Sequence, residues 1–197
     1  MSQQIALFGS QARVFADGER GRIAYYPAIF SAGESTALFE TLQRDLCWEQ
    51  ESMWMYDRTV TVPRLIARLD PQGAMPPLLQ QAVERIEAFL ATRFNSVSAQ
   101  YYRDGSDSVA WHNDHTEELI DRPTIALLSL GATREIQVRT KARPRTAYRC
   151  DLEPGSLFVM SGRSQDFYEH HIPKVRRPTT PRISIALRQR TSESRKA

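Results

Sequence analysis

Apolar positions in the first half of the chain recur at helical spacing. The segment FSAGESTALFETLQRDLCW opens with Ser31 and Glu34 at capping-box separation and continues with Leu38, Phe39, Leu42 and Leu46 on one helical face. A helix is predicted there. A second is predicted from Pro76 and Pro77, which suit a helix start, through LLQQAVERIEAFLATRF, where Leu79, Val83, Ile86 and Leu90 recur at helical intervals. From about residue 95 the period shortens. SVSAQYY, TIALLSLG, EIQVRT, YRCDL, SLFVMSG and RISIALRQR are runs rich in β-branched and aromatic residues, separated by turn-forming stretches such as RDGSD, KARPR and EPGS. Helices first and strands later predict an α+β domain. Its helical region covers about 1–94, its double-sheet barrel covers 95–190, and residues 191–197 form a disordered tail.

Composition narrows this to one domain. With 197 residues, 41% of them hydrophobic, the chain can bury a core of ordinary size. No run approaches the roughly 20 apolar residues that a membrane helix needs. The start MSQQIALFGSQARVF also lacks the order of a secretion signal, so a cytoplasmic location without membrane association is expected. Cys47 and Cys150 are then expected as thiols. The net charge of +3 is too small to identify a nucleic-acid binder by itself. Its distribution says more: six arginines and lysines fall between Arg134 and Arg149 beside one acid, Glu135. Such a stretch fits a phosphate-binding surface and a solvated hairpin rim equally well.

The chain has four histidines, and two of them flank a carboxylate in WHNDH, residues 111–115. On an extended backbone His112 and Asp114 project from one face, while His115 points away. A third ligand must come from His170 or His171 in QDFYEHHIPKV. Two histidines and one carboxylate that leave coordination positions open are the set of non-haem Fe(II) oxygenases, whereas a structural zinc site closes all four positions. Downstream, PRISIALRQR places Arg182, Ser184, Ala186 and Arg188 on one strand face and Ile183, Ile185 and Leu187 on the other. This pattern fits an ordinary half-buried strand with surface arginines. It also fits a guanidinium turned inward to grip a dicarboxylate through two charge-assisted hydrogen bonds. The two arginines lie on the order of 20 Å apart along a strand and can serve opposite ends of such a molecule.

From about Phe94 to Arg190 the chain resembles the AlkB-type Fe(II)- and 2-oxoglutarate-dependent dioxygenases, especially their nucleic-acid repair demethylases. The resemblance rests on QYYRDGSDSVAWHND, SLGATREIQVR, GSLFVMSG, YEHHIP and PRISIALR in that order. It implies a double-stranded β-helix (jelly-roll) barrel with N-terminal helices packed on one sheet, forming a single dioxygenase domain over 1–190. It makes His112, Asp114 and His170 the ligands of Fe(II), with His170 preferred to His171 by its distance from Ile172 and Pro173. Arg182 would hold the distal carboxylate of 2-oxoglutarate with help from Tyr102, Gln100 and Ser184, and Arg188 would lie near the end that chelates iron. O2 is the co-oxidant, and the implied reaction demethylates N-alkylated DNA or RNA bases, releasing formaldehyde, succinate and CO2. Nucleic-acid contacts are expected from Arg64, Thr116, Glu117, Arg134, Arg139, Lys141 and Arg143. No obligate protein partner is indicated.

The departures from the family pattern are Gln100 for Asn, Ser184 for Asn, Ala186 for Thr, and Thr116 where repair members carry an acid. The aromatic-rich segment that helps form the base-gripping lid is absent after the Val-Pro-Arg that ends at Arg64. Trp54, Tyr56 and Trp111 are the aromatic candidates, and each is expected in the core or rim. The alternative reading is a dioxygenase of the same fold that acts on protein, lipid or a small molecule.

Overall fold

The computed structural model describes residues 11–55, 57–69, 73, 75–114, 116–177 and 179–191. The strands are β1 (Arg13–Gly18), β2 (Gly21–Tyr26), β3 (Glu49–Met55), β4 (Arg58–Leu69), β5 (Ser96–Tyr102), β6 (Val109–His112), β7 (Ile125–Gly131), β8 (Arg134–Thr140), β9 (Ala147–Leu152), β10 (Leu157–Ser161), β11 (Tyr168–Ile172) and β12 (Arg182–Arg188). The helices are α1 (Ala32–Asp45), α2 (Pro77–Leu90) and the single turn α3 (Ser164–Phe167). Eight strands form a sheet in the order β1-β2-β10-β7-β12-β5-β4-β3, and four form a second in the order β6-β11-β8-β9. No helix among the described residues is long and apolar enough to cross a membrane.

Local chemistry starts both long helices as expected. Ser31 Oγ accepts from Glu34 N at 3.3 Å, and a Glu34 carboxylate oxygen accepts from Ser31 N at 2.7 Å, so two otherwise unpaired donors at the head of α1 are satisfied. Helix α2 begins at Pro77 and stops at Ala91 in the left-handed conformation. Their apolar faces carry Leu38, Leu42, Leu79, Val83 and Ile86 onto the outer side of the eight-stranded sheet, where Leu128, Leu130, Ile183, Ile185 and Leu187 complete a buried layer. Ile23, Tyr25, Phe158 and Met160 from the large sheet pack against Ile136, Val138 and Leu152 from the small one, forming a second layer between the sheets. The two packed sheets of the expected double-sheet architecture are therefore present, with the helices on one of them.

The N-terminal half differs from the prediction in one respect. It carries β1 to β4 as well as the two helices, and all four strands belong to the large sheet. Each had a reason to escape a pattern search. In β1, β2 and β3 the apolar residues run consecutively, at 14–16, 23–26 and 53–55, instead of alternating, and β4 contains Pro63, which cannot donate to a ladder. Pro63 is tolerated because the β3 register slips between Gln50 and Ser52, while β4 meets β5 only from Leu65 onward.

Gly131 closes β7 beside Arg182, its direct partner on β12. Its φ is +79°, and a Cβ there would stand 2.5 Å from Pro181 O and 2.8 Å from the Phe39 ring. Left-handed strain and overpacking each cost about 1 to 3 kcal/mol. Gly131→Ala is therefore expected to lose about 3 kcal/mol of stability, read as a lowered urea midpoint at unchanged slope.

Candidate metal and carboxylate site

Strand pairing assembles the first half of the site. His112 ends β6 and lies directly across from His170 on β11, so both imidazoles enter the space between the sheets with ring centroids 4.3 Å apart. His171 projects to the opposite face, where it stacks on Trp111 at 3.8 Å. The choice between the adjacent histidines is thus made by the two-residue period of a strand. Asp114 lies two residues beyond β6, outside any ladder. Its N–H donates to Gln165 Oε1 at 2.9 Å, and its Oδ2 accepts from Arg188 Nε at 2.6 Å. Ligand atoms of His112, Asp114 and His170 all lie within 4.8 Å of one another.

Protonation favours metal binding at these three residues. His112 Nδ1 is 2.9 Å from Ala110 O, and a carbonyl only accepts, so the ring proton sits on Nδ1 and the Nε2 lone pair is left for a ligand. Burial lowers the His112 pKa, and burial with the neighbouring His112 pushes His170 down to about 3. Burial alone would raise Asp114, but the charges of Arg188 and His170 outweigh it and hold the carboxyl at about 2. Two neutral imidazoles and one carboxylate fit a divalent cation with open positions.

A sign follows for the metal-free protein. His170 binds a proton in the unfolded chain below its ordinary 6.5 but not in the native one until about 3, so stability falls as pH drops through that window. One such group contributes a slope of up to about 1.4 kcal/mol per pH unit. Urea midpoints of metal-free protein are expected to decline from pH 6.5 to 5 and to be unaffected by this group between pH 7 and 8.

Arg182 forms the second half. It is 1% exposed, so the surface reading of its strand does not apply. Its Nη2 donates to Ser129 Oγ at 2.7 Å, and its Cζ lies 5.1 Å from the Tyr102 ring centroid. Among the described residues, its Nε and Nη1 meet no acceptor. Burial lowers its pKa to about 10, partly offset by Tyr102. A buried guanidinium with two unused donors is costly unless an anion completes it, and a carboxylate matches that fork. Gln100 and Ser184 face the same interior as paired neighbours of β5 and β12. Gln100 Nε2 and Arg188 Nη1 both donate to Ser98 Oγ, at 2.9 and 3.0 Å, linking the carboxylate end of the cavity to the metal end.

The expected nucleic-acid residues divide. Arg64 is half-buried on β4, and its charge helps lower the His112 pKa. Thr116 and Glu117 lie exposed on a short 3-10 turn just after Asp114. Arg134 is a correction. It is 2% exposed and donates to the carbonyls of Asp104 and Asp107 in one loop and Pro173 in another, so it braces two loops and cannot reach a phosphate. Arg139 pairs with Glu169 at 2.6 Å and lies over Trp111, while Lys141 Nζ donates to Gln165 O at 2.7 Å. Arg143 is exposed. Glu169, distant in sequence, thus offsets part of a stretch that reads as strongly basic. Trp54 is 71% exposed at the end of β3, Trp111 lies on the outer face of the small sheet, and Tyr56 and His115 fall outside the described residues, as does the tail from 192.

Sequence reading missed Ser129, Ser98 and Gln165. Ser129 had a signal, since it alternates with Leu128 and Leu130 and so faces inward wherever they face the helices. Ser98 had the same signal on β5. Gln165 had none, because its role depends on a chain crossing 51 residues away.

Residues 23–192 match the family model of the 2OG-Fe(II) oxygenase superfamily. The alpha-ketoglutarate-dependent dioxygenase alkB homolog 3 of Mus musculus is 31% identical over 187 residues, and that of Homo sapiens 30%; each alignment covers 85% of this chain. The chain spans 65% of the length of those relatives. DNA oxidative demethylase ALKBH2 of Mus musculus is 25% identical, covering 83% of this chain and 78% of the relative. Among solved structures, an oxidoreductase of the 2OG-Fe(II) oxygenase family from Burkholderia pseudomallei shares the fold with a TM-score of 0.56 at 19% identity, covering 84% of each chain.

Proposed function

Because the chain belongs to the 2OG-Fe(II) oxygenase superfamily, we propose that it is an Fe(II)- and 2-oxoglutarate-dependent dioxygenase that demethylates N-alkylated bases in nucleic acid. The observation that carries the reading is that the His112, Asp114 and His170 cluster and the buried Arg182, whose Nε and Nη1 meet no acceptor among the described residues, both face the space between the two sheets. The similar alkB homolog 3 and ALKBH2 proteins, named as a dioxygenase and a DNA demethylase, support the substrate class.

Each residue has a defined task. His112, Asp114 and His170 hold Fe(II). Arg182, aligned by Ser129 and Tyr102, seats the distal carboxylate of 2-oxoglutarate through its free donors. When bound, iron with 2-oxoglutarate and O2 supplies the oxidising power that hydroxylates an N-methyl group, and CO2 and succinate leave. The hydroxylated methyl departs as formaldehyde, restoring the base. Arg188 keeps one oxygen of Asp114 occupied, so Oδ1, 3.9 Å from His112 Nε2, would be the oxygen left to serve as a ligand. His170 and Asp114 are buried away from bulk water, while the half-exposed His112 stands on the open side of the site. Arg64 and the exposed 116–117 turn would meet the substrate at the cavity mouth.

The test mixes the protein with Fe(II), 2-oxoglutarate and oligonucleotides carrying single methylated bases. Formaldehyde and succinate are expected in equal amounts, and silence across methylated DNA and RNA sinks the reading. One observation favours the alternative substrate class. Arg139 and Arg145 both engage Glu169 and Arg134 is buried, so the basic stretch presents less free charge than its sequence suggests. A protein, lipid or small-molecule oxygenase would show 2-oxoglutarate turnover that no oligonucleotide stimulates.

A further inference from the structure

We propose that Gln165 is a positioning residue that fixes Asp114 for metal binding, a role that rests on reading Asp114 as a ligand. Asp114 is the one member of the cluster that no strand ladder holds, since β6 ends at His112. Something else must fix its backbone, because a carboxylate free to swing would not stay near two imidazoles. Gln165 supplies that anchor. It is 2% exposed, and its Oε1 accepts the Asp114 N–H at 2.9 Å. Among the described residues its amide nitrogen meets only weak acceptors, Met160 Sδ at 3.6 Å and Ser164 Oγ at 3.5 Å. A buried amide is costly unless it is bonded, and an apolar side chain of the same length would fill this space without that cost. Among the described residues, the bond to Asp114 is the one short contact of this side chain that offsets it.

The anchor is itself held. Lys141 Nζ donates to Gln165 O at 2.7 Å and Lys141 N donates to Phe167 O at 2.9 Å, so the end of β8 clamps the α3 turn from which Gln165 projects. Arg188 grips the Asp114 carboxylate from the other side. Backbone and side chain of Asp114 are therefore fixed independently, by residues that need not touch the ion.

Loss of an outer partner of a metal ligand typically weakens the metal about 10- to 100-fold. The probe is Mn(II) alone, with free ion counted by electron paramagnetic resonance. Gln165→Met, which keeps length and removes the acceptor, is expected to bind Mn(II) about 10- to 100-fold more weakly while the metal-free protein melts as wild type does. Gln165→Glu, which keeps an acceptor oxygen in place, is expected to return the affinity to within about threefold. Wild-type affinity in Gln165→Met overturns the proposal. Should that variant not fold, hydrogen exchange on the unmodified protein decides: a protected Asp114 amide supports the anchor, and exchange at the rate of an open peptide refutes it. A wild-type protein that binds no Mn(II) sinks the metal-site reading and this proposal with it, whereas tight wild-type binding unaffected by Gln165→Met sinks this proposal alone.

Discussion

Arg182→Met is expected to abolish 2-oxoglutarate binding while making the ligand-free protein more stable. The two effects share one cause. Arg182 is fully enclosed and, among the described residues, its Nε and Nη1 meet no acceptor, so in the absence of a carboxylate its charge is a burden on the fold. Methionine fills similar space without charge and removes that burden. Breaking a buried ion pair costs about 3 to 5 kcal/mol, which corresponds to a loss of roughly 100- to 1,000-fold or more in cosubstrate affinity. Titration with 2-oxoglutarate measures the first effect and thermal unfolding without ligand the second. A variant that melts lower and still binds would show that Arg182 is a structural brace. Arg182→Lys should fall between, since an ammonium keeps the charge but not the planar fork.

Asp114→Ala is expected to have the second large effect, with Mn(II) affinity falling by more than about 100-fold and turnover reaching background. That loss should exceed the 10- to 100-fold typical of outer partners, because an anionic ligand disappears. It also strands Arg188, whose Nε now bonds Asp114 Oδ2. An Arg188→Met, Asp114→Ala double variant should recover stability but not metal binding, which separates the two roles. Affinity within tenfold of wild type in Asp114→Ala would remove this residue from the metal site.

Much of the site was legible because it follows the two-residue period of strands. The His112 to Asp114 spacing and the alternation of β12 derive from that rule, whereas the inward role of Arg182 came from the family resemblance, since the alternation fits surface arginines as well; Asp114 itself lies beyond its strand. The helices were legible from capping and apolar spacing. What escaped was non-local. β1 and β3 are edge strands whose apolar residues are consecutive in sequence and do not alternate, and β4 hides its character behind Pro63. Arg134 looked like one more cation in a basic stretch, yet its position on β8 turns it inward onto three loop carbonyls, and no count of charges reveals that. The neutralising Glu169 arrives through the pairing of β11 with β8.

β12 is enclosed on both flanks: its isoleucines and leucine meet the helices, and its arginines and Ser184 meet the cavity. Almost no position in it can therefore drift freely over generations. Room for change lies instead in the exposed turn at 116–117, which belongs to neither sheet. The β8 to β9 hairpin is less free, because Lys141 at its start is tied to Gln165 and a change there would reach the bond from Gln165 to Asp114.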